Sequence, residues 1–186
     1  MAAPKKILFL SNSELGQANC FLATSHALML LRPDIEIHFA SYKRIRKAVQ
    51  STSDYARTLQ PKANPIIFHE IKALSNQEAL VARPELGVWE FMRSRPTIRN
   101  IPTILRVLSR IFIPYSGEEL VLNYREIEAI VNEVKADATA VDSFFTVATT
   151  VLRTLDVKFT VLSPNTLKDF LAAIQPRGAF FWKYPM

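Results

Sequence analysis

The chain has 186 residues, of which 49% are hydrophobic and 22% are charged, and its net charge is +6. This composition excludes a disordered chain, and the length suits one large domain with its own core. A single cysteine excludes an intrachain disulfide, and every apolar run is far shorter than the ~20 residues of a membrane-spanning helix. The apolar residues Ile7 to Leu10 are too few for a secretory signal, so we expect a cytoplasmic protein.

The first part of the sequence alternates short apolar runs with segments of helical periodicity. Residues 5–11 predict a buried parallel strand, and residues 18–31 predict the helix that follows it. Alternating apolar residues over 35–39 predict a second strand, 41–59 a basic helix, and 65–71 a third strand. Two parallel strands joined by a helix in one sheet imply a right-handed crossover.

The stretch 75–115 is less regular, because prolines divide it into short helical pieces. These prolines are Pro84, Pro96, Pro102 and Pro114. An irregular helical stretch of this kind usually forms a lid or the wall of a pocket, and we expect the same here.

The second part of the sequence returns to regular alternation. It predicts a helix over 118–134, a strand over 138–141, a helix over 144–155 and a strand over 158–162. Strands and helices in strict alternation predict an α/β fold with a Rossmann-like, doubly wound parallel sheet.

Basic residues cluster over 43–47 and again over 83–110, and they allow more than one interpretation. They could contact nucleic acid or an anionic membrane surface, or they could lie on solvated helix faces. No nucleic-acid-binding motif accompanies them, and no aromatic residues alternate with them as a stacking platform would require, so we expect no nucleic-acid partner. Peripheral membrane contact through residues 83–115 remains an alternative.

Two loops at the carboxyl ends of predicted strands are candidate ligand sites, because open parallel sheets bind ligands there. The loop 11–19 contains Gly16, which allows a tight turn before a helix with free N–H groups. A GxGxxG pattern needs two more glycines, so we expect no dinucleotide cofactor. The second loop begins at Asp142, which could orient a catalytic base or cap the next helix.

Other kinds of site are not expected. None of His26, His38 and His69 has a partner at metal-ligand spacing, so we predict no metal. Ser163 follows the last predicted strand, but no GxSxG pattern surrounds it to make it a nucleophile.

Two segments resemble the family-one UDP-glycosyltransferases, particularly their fungal branch. They are residues 6–41, KILFLSNSELGQANCFLATSHALMLLRPDIEIHFAS, and residues 140–164, AVDSFFTVATTVLRTLDVKFTVLSP. The resemblance implies a two-domain glycosyltransferase fold of the B type, in which each domain is Rossmann-like. The amino-terminal domain binds the acceptor and the carboxyl-terminal domain binds the UDP-sugar, which is a co-substrate rather than a cofactor.

The resemblance also implies roles for individual residues. In the family, a histidine after the first strand takes the proton from the acceptor hydroxyl, and an aspartate after a later strand orients it. Asp142 matches the orienting aspartate, whereas Gln17 stands at the position of the histidine. A glutamine can hydrogen-bond an acceptor but cannot take its proton. We place the acceptor contacts in the first loop and the pocket wall, at Ser13, Gly16, Asn19, Trp89 and Phe91.

The family's donor-binding region has no counterpart in the sequence, which ends in an aromatic run, 180–184. We therefore expect residues 1–186 to be the acceptor-binding half of a truncated enzyme. The full-length form would transfer a sugar, with inversion, to a hydroxyl of a small lipophilic acceptor such as a secondary metabolite. The alternatives are a non-catalytic acceptor-binding subunit whose partner chain carries the donor domain, an inactive fragment, and a Rossmann-like domain for an unrelated ligand.

Overall fold

Five parallel strands form one sheet in the order β3-β2-β1-β4-β5. Their bounds are β1 Lys6–Leu10, β2 Glu36–Tyr42, β3 Ile67–Ile71, β4 Ala138–Asp142 and β5 Thr160–Leu162. The structure is a computed structural model and describes residues 5–86, 107 and 113–165. The aromatic carboxyl terminus and most of the predicted pocket wall, with Trp89 and Phe91, lie outside these residues.

Helices connect the strands and cover both faces of the sheet. They are α1 Leu15–Leu31, α2 Arg46–Leu59, α3 Asn76–Val81, α4 Gly117–Val134 and α5 Thr146–Thr154. Single 3₁₀ turns cover Lys43–Ile45 and Pro84–Leu86. The predicted α/β, Rossmann-like parallel sheet is therefore confirmed. No helix in the described ranges is long and apolar enough to cross a membrane.

The sheet places its core on two sides, because successive strand residues point to opposite faces. On one side, Leu10 and Val141 pack with the apolar residues of α4 and α5. On the other side, Phe9 and Phe39 pack with the apolar residues of α1 and α2. Phe9, Phe21 and Phe39 meet edge to face, with ring centroids 5.7 to 6.4 Å apart, and this contact fixes α1 on the sheet.

Two predicted helix starts differ from the observed ones by three or more residues. Helix α1 begins at Leu15 rather than residue 18, because the Glu14 carbonyl accepts the N–H groups of Gln17 and Ala18. The basic helix does not begin at Ser41, because Ser41 continues β2 and pairs with β3. The first correction moves Gly16 and Gln17 from a loop into a helix.

Candidate functional site

The strand order reverses between β1 and β4, and this gives the sheet its candidate binding crevice. The two strands are neighbours, with Leu10 beside Val141. After β1 the chain turns to α1 on one face, and after β4 it turns to α5 on the other. Ligands of open parallel sheets bind in the crevice that opens at such a switch point.

Asp142, the last residue of β4, is fully buried and ties the two loops together. Its Oδ2 accepts a hydrogen bond from the Asn12 backbone N–H (3.3 Å), and its Oδ1 accepts one from the Phe144 N–H (3.0 Å). Burial raises the pKa of Asp142, and these two N–H donors partly offset the rise. Helix α5 begins later, with Phe145 as its N-cap, so Asp142 is not the cap of that helix.

Gln17 and Gly16 lie in the first turn of α1. The side-chain oxygen of Gln17 is buried and has no hydrogen-bond partner among the described residues. A Cβ on Gly16 would meet nothing within 4 Å, and its φ lies outside the left-handed region. The tight turn predicted at Gly16 is therefore wrong, because helical backbone at this position makes no special demand for glycine.

Glu14 and Cys20 flank Gln17 by three residues on each side, which places all three on one face of α1. Burial raises the pKa of both Glu14 and Cys20, and the negative charge of Asp142 raises each further. The face that carries Gln17 is therefore close enough to Asp142 for electrostatic coupling. Their roles in binding or catalysis stay a prediction.

The other predicted acceptor residues divide into three groups. Ser13 is buried, 1% exposed, and its hydroxyl has no partner among the described residues. Asn19 is exposed on α1, away from the Glu14–Gln17 face. Trp89 and Phe91 lie outside the described residues, so their predicted contacts stay predictions.

A cavity of about 570 Å³ opens at the carboxyl ends of β2 and β3. It is lined by Tyr42, Lys43, Arg44, Glu70, Ile71, Lys72, Ala73, Ser75, Gln77, Glu78, Val81 and Ala82. Five of these lining residues belong to the stretch 75–82, at the start of the predicted pocket wall, and the role of that wall in acceptor binding stays a prediction. Neither Gln17 nor Asp142 lines it, so this cavity lies beside the switch point.

A buried polar network supports the wall of this cavity. The Tyr42 hydroxyl donates to Asn123 Oδ1 (2.8 Å), and Asn123 Nδ2 donates to the Leu74 carbonyl (3.0 Å). Burial raises the pKa of Tyr42, and it raises the pKa of Tyr115 to about 12. Both phenols are therefore protonated near neutral pH and act as neutral hydrogen-bonding groups.

Glu14 and the Tyr42–Asn123 network are site features that the sequence analysis missed. The sequence signal for Glu14 is its position three residues before Gln17 on one helix. The Tyr42–Asn123 contact joins residues 81 positions apart and leaves no local pattern. Within the described residues, no group of three or more histidine, cysteine or acidic side chains could hold a metal ion.

No known protein family and no curated protein matches the sequence. Solved structures do match. The glycosyltransferase SsfS6 of Streptomyces sp. SF2575 is 17% identical, with a TM-score of 0.54 over 84% of this chain and 38% of its own. The chain has a glycosyltransferase fold.

Two more solved glycosyltransferases have the same likeness. CalG4, the calicheamicin glycosyltransferase, is 14% identical, with a TM-score of 0.51 over 96% of this chain and 39% of its own. TcCGT1, in complex with UDP, is 16% identical, with a TM-score of 0.50 over 92% of this chain and 30% of its own. The glycosyltransferase fold described here thus spans 30 to 39% of the length of these three proteins.

Proposed function

We propose that the chain is the amino-terminal, acceptor-binding domain of a family-one, UDP-sugar-dependent glycosyltransferase with the two-domain B-type fold. This proposal rests on the position of Asp142, which is buried at the switch point beside the first turn of α1. The resemblance of residues 6–41 and 140–164 to the fungal branch of the family supports the same proposal. The acceptor is a small lipophilic molecule with a free hydroxyl, of the secondary-metabolite kind.

In this function the crevice holds the acceptor hydroxyl. The hydroxyl donates to the unpartnered side-chain oxygen of Gln17. Inverting transfer forms a bond from the acceptor oxygen to the anomeric carbon and breaks the bond from that carbon to UDP. The hydroxyl proton leaves during this step to the departing UDP phosphate or to water, because Gln17 cannot accept it. Gln17 therefore positions the acceptor, and transfer through this site is slow.

The donor belongs to a second domain, either on the same polypeptide or on a partner chain. Two of the similar proteins hold nucleoside diphosphates: TcCGT1 holds UDP, and SsfS6 has a complex with thymidine diphosphate. A UDP-sugar is the corresponding donor for this chain.

Gln17 favours a second candidate function, a non-catalytic acceptor-binding subunit. A general base commonly contributes 10²- to 10⁴-fold in rate. Gln17 stands where the family has its histidine base, so this position offers no base in the chain. The two candidates share the acceptor site and differ only in whether transfer takes place.

Acceptor binding can be tested on the chain alone by amide chemical shifts in NMR. With 4-methylumbelliferone as a phenolic probe, we expect saturable shifts at 12–17 and 142–144. Uridine and adenosine, which lack phosphates, should leave these signals unchanged. The opposite pattern, with shifts from a nucleoside and none from the phenol, would instead assign the crevice to a nucleotide-type ligand.

A further inference from the structure

Three titratable side chains form a hydrogen-bonded chain between β2 and β3, the strand at one edge of the described sheet. His38 Nε2 lies 2.6 Å from Glu36 Oε1, and His38 Nδ1 lies 2.8 Å from His69 Nε2. The centroids of the two imidazole rings are 5.1 Å apart. His38 is buried, 6% exposed, whereas His69 is only partly buried.

The alternation of side chains along the strands puts both histidines on the face that α4 covers. His38 lies between Ile37 and Phe39, which belong to the core beside α1 and α2, so its own side chain points the other way. His69 is two residues before Ile71, which belongs to the core beside α4. Helix α4 packs over β1, β2 and β3 on this face. The histidine pair is therefore enclosed by two strands and a helix.

Each of the two contacts holds one proton, because a hydrogen bond joins one donor to one acceptor. A carboxylate only accepts, so His38 Nε2 donates to Glu36. In the neutral pair, His69 Nε2 donates to His38 Nδ1. With one added proton, whichever ring carries the charge donates to the other, and both contacts persist. A second added proton makes both facing nitrogens donors, and the contact between the rings is lost.

The negative charge in direct contact with the pair is the Glu36 carboxylate. Lys6 of β1 lies 3.8 Å from the same carboxylate oxygen, on the side away from the strand β3. Asp137, just before β4, accepts the Lys6 backbone N–H, and Glu126 of α4 accepts the N–H groups of residues 72 and 73. Glu36 therefore favours one added positive charge on the rings.

The surroundings of His69 oppose a second positive charge. Burial lowers the pKa of His69, the charge of His38 lowers it further, and the charge of Glu133 on α4 offsets these effects only in part. Glu70 alternates with His69 along β3, and its ion pair with Arg46 lies on the other face of the sheet. The two rings are thus built to share one proton and to repel the next.

We propose that Glu36, His38 and His69 form a pH-sensitive clamp on β3, which stays closed with one added proton and opens when both rings are charged. His69 is the moving part, because it is partly exposed while His38 stays bound to Glu36. The residues after His69, Glu70 and Ile71, line the cavity of about 570 Å³, so opening loosens one wall of that cavity. The clamp involves no sugar and no acceptor, so it stands or fails independently of the proposed function.

Ring-nitrogen NMR of the whole chain, from about pH 8 to about pH 4, follows each proton on the pair. His38→Gln leaves a hydrogen-bonding side chain that cannot carry charge, so His69 should take up its proton at a higher pH than in the wild type. In the wild type, the cross-peaks between the two rings should disappear as the second proton binds. His26→Gln, on α1 at the other face of the sheet, is the matched control and should leave this transition unchanged.

Two outcomes of the NMR experiment would overturn the clamp. One is a His69 that titrates at the same pH in the wild type and in His38→Gln, because burial alone would then set its pKa. The other is a contact between the rings that persists when both are charged.

Urea unfolding of His69→Gln tests the same clamp through stability. The pKa of His69 is below its ordinary value of 6.5, so the folded chain binds this proton more weakly than the unfolded chain. The associated stability is present above the unfolded pKa and is lost as the pH falls through the folded pKa. At about pH 5.5, unfolding of the wild type should take up as much as about one proton more than unfolding of His69→Gln. Equal proton uptake by the two proteins would contradict the proposal.

Amide hydrogen exchange shows where the chain opens. Protection factors over 67–71 should fall in the wild type between about pH 7 and about pH 5, while those of β1 stay higher. His69→Gln should show the same protection at both pH values, because it has no second charge to repel. A fall of equal size in every strand would mean global unfolding and would exclude a local clamp on β3.

Discussion

Asp142 and Gln17 are held in different ways. The Asp142 carboxylate accepts two backbone N–H groups from two separate loops, whereas the Gln17 side-chain oxygen has no partner among the described residues. Asp142 is thus part of the framework of the crevice. The side-chain oxygen of Gln17 is free to accept a hydrogen bond from a ligand.

Asp142→Asn tests the framework role through stability. Asparagine offers one side-chain oxygen, so one of the N–H groups of Asn12 and Phe144 loses its acceptor inside the protein. A buried N–H left unpaired costs about 1–3 kcal/mol, which urea unfolding would measure. Asp54→Asn, at an exposed position of α2, should change stability very little. Equal effects of the two substitutions would mean that Asp142 does not hold the loops.

Glu14→Gln tests the electrostatics of the crevice. Burial raises the pKa of Glu14 above its ordinary value of 4.5, so the folded chain binds this proton more tightly than the unfolded chain. The resulting stabilisation is present below the unfolded pKa and is lost as the pH rises through the folded pKa. The free energy of unfolding of Glu14→Gln, compared with that of the wild type, should therefore increase as the pH rises from about 4 to about 8.

The measurement is urea unfolding at both pH values, with the exposed Glu85→Gln as the control. The difference between wild type and Glu14→Gln should change with pH, and the control should not show the same change. A pH-independent difference for Glu14→Gln would show that the carboxyl titrates normally in the folded chain.

At the scale of elements, α4 is fixed to the sheet by a polar contact as well as by its apolar face. Its capping box joins Ser116 and Glu119, and Asn123 then reaches both Tyr42 on β2 and the Leu74 carbonyl. Asn123 is fully buried, so its side chain forms its hydrogen bonds with other protein groups rather than with solvent.

Asn123→Ala should destabilise the chain by about 2–3 kcal/mol, because it leaves the Tyr42 hydroxyl and the Leu74 carbonyl without this partner. Urea unfolding followed by circular dichroism would measure the change. Asn132→Ala, at an exposed position of the same helix, is the control and should have little effect. A similar loss in both variants would indicate helix propensity rather than the buried contact.

Strands were predictable from the sequence to within one or two residues at most ends. Buried parallel strands such as β1 and β4 are nearly continuous apolar runs with clear limits. The start of α1 was not predictable, because Glu14 forms no side-chain cap and the polar residues before Gln17 are typical of a loop. Its first turn is closed by the Glu14 carbonyl, which accepts the N–H groups of Gln17 and Ala18, and no side-chain pattern encodes these backbone bonds.

The candidate site was predictable only in part, for a similar reason. Asp142 follows from its place at the end of a predicted strand. The Tyr42–Asn123 contact depends on how α4 packs against β2, and neither this packing nor the strand order can be read from any single segment.

At the scale of the whole molecule, the chain has a glycosyltransferase fold that spans about a third of the length of the glycosyltransferases it matches. We assign the donor to another domain, so residues 1–186 alone should transfer no sugar from UDP-glucose to 4-methylumbelliferone. The assay is chromatography of the glycoside product, with the synthetic glucoside of 4-methylumbelliferone setting its detection limit. Turnover that co-purifies with the chain would contradict this division of roles.

The most direct test provides a donor domain in the same molecule, by fusing the chain to the part of TcCGT1 that holds UDP. Gln17→His would place an imidazole near Asp142, which can fix its tautomer and raise its basicity. Transfer to the phenol should rise by roughly ten- to a hundred-fold, and adding Asp142→Asn should remove most of the gain. Ala27→His, at an exposed position of α1 away from the predicted acceptor contacts, is the matched control and should give no gain. If Gln17→His leaves the rate unchanged while Asp142→Asn alone abolishes transfer in a folded fusion, the proton acceptor lies elsewhere and the role we propose for position 17 is wrong.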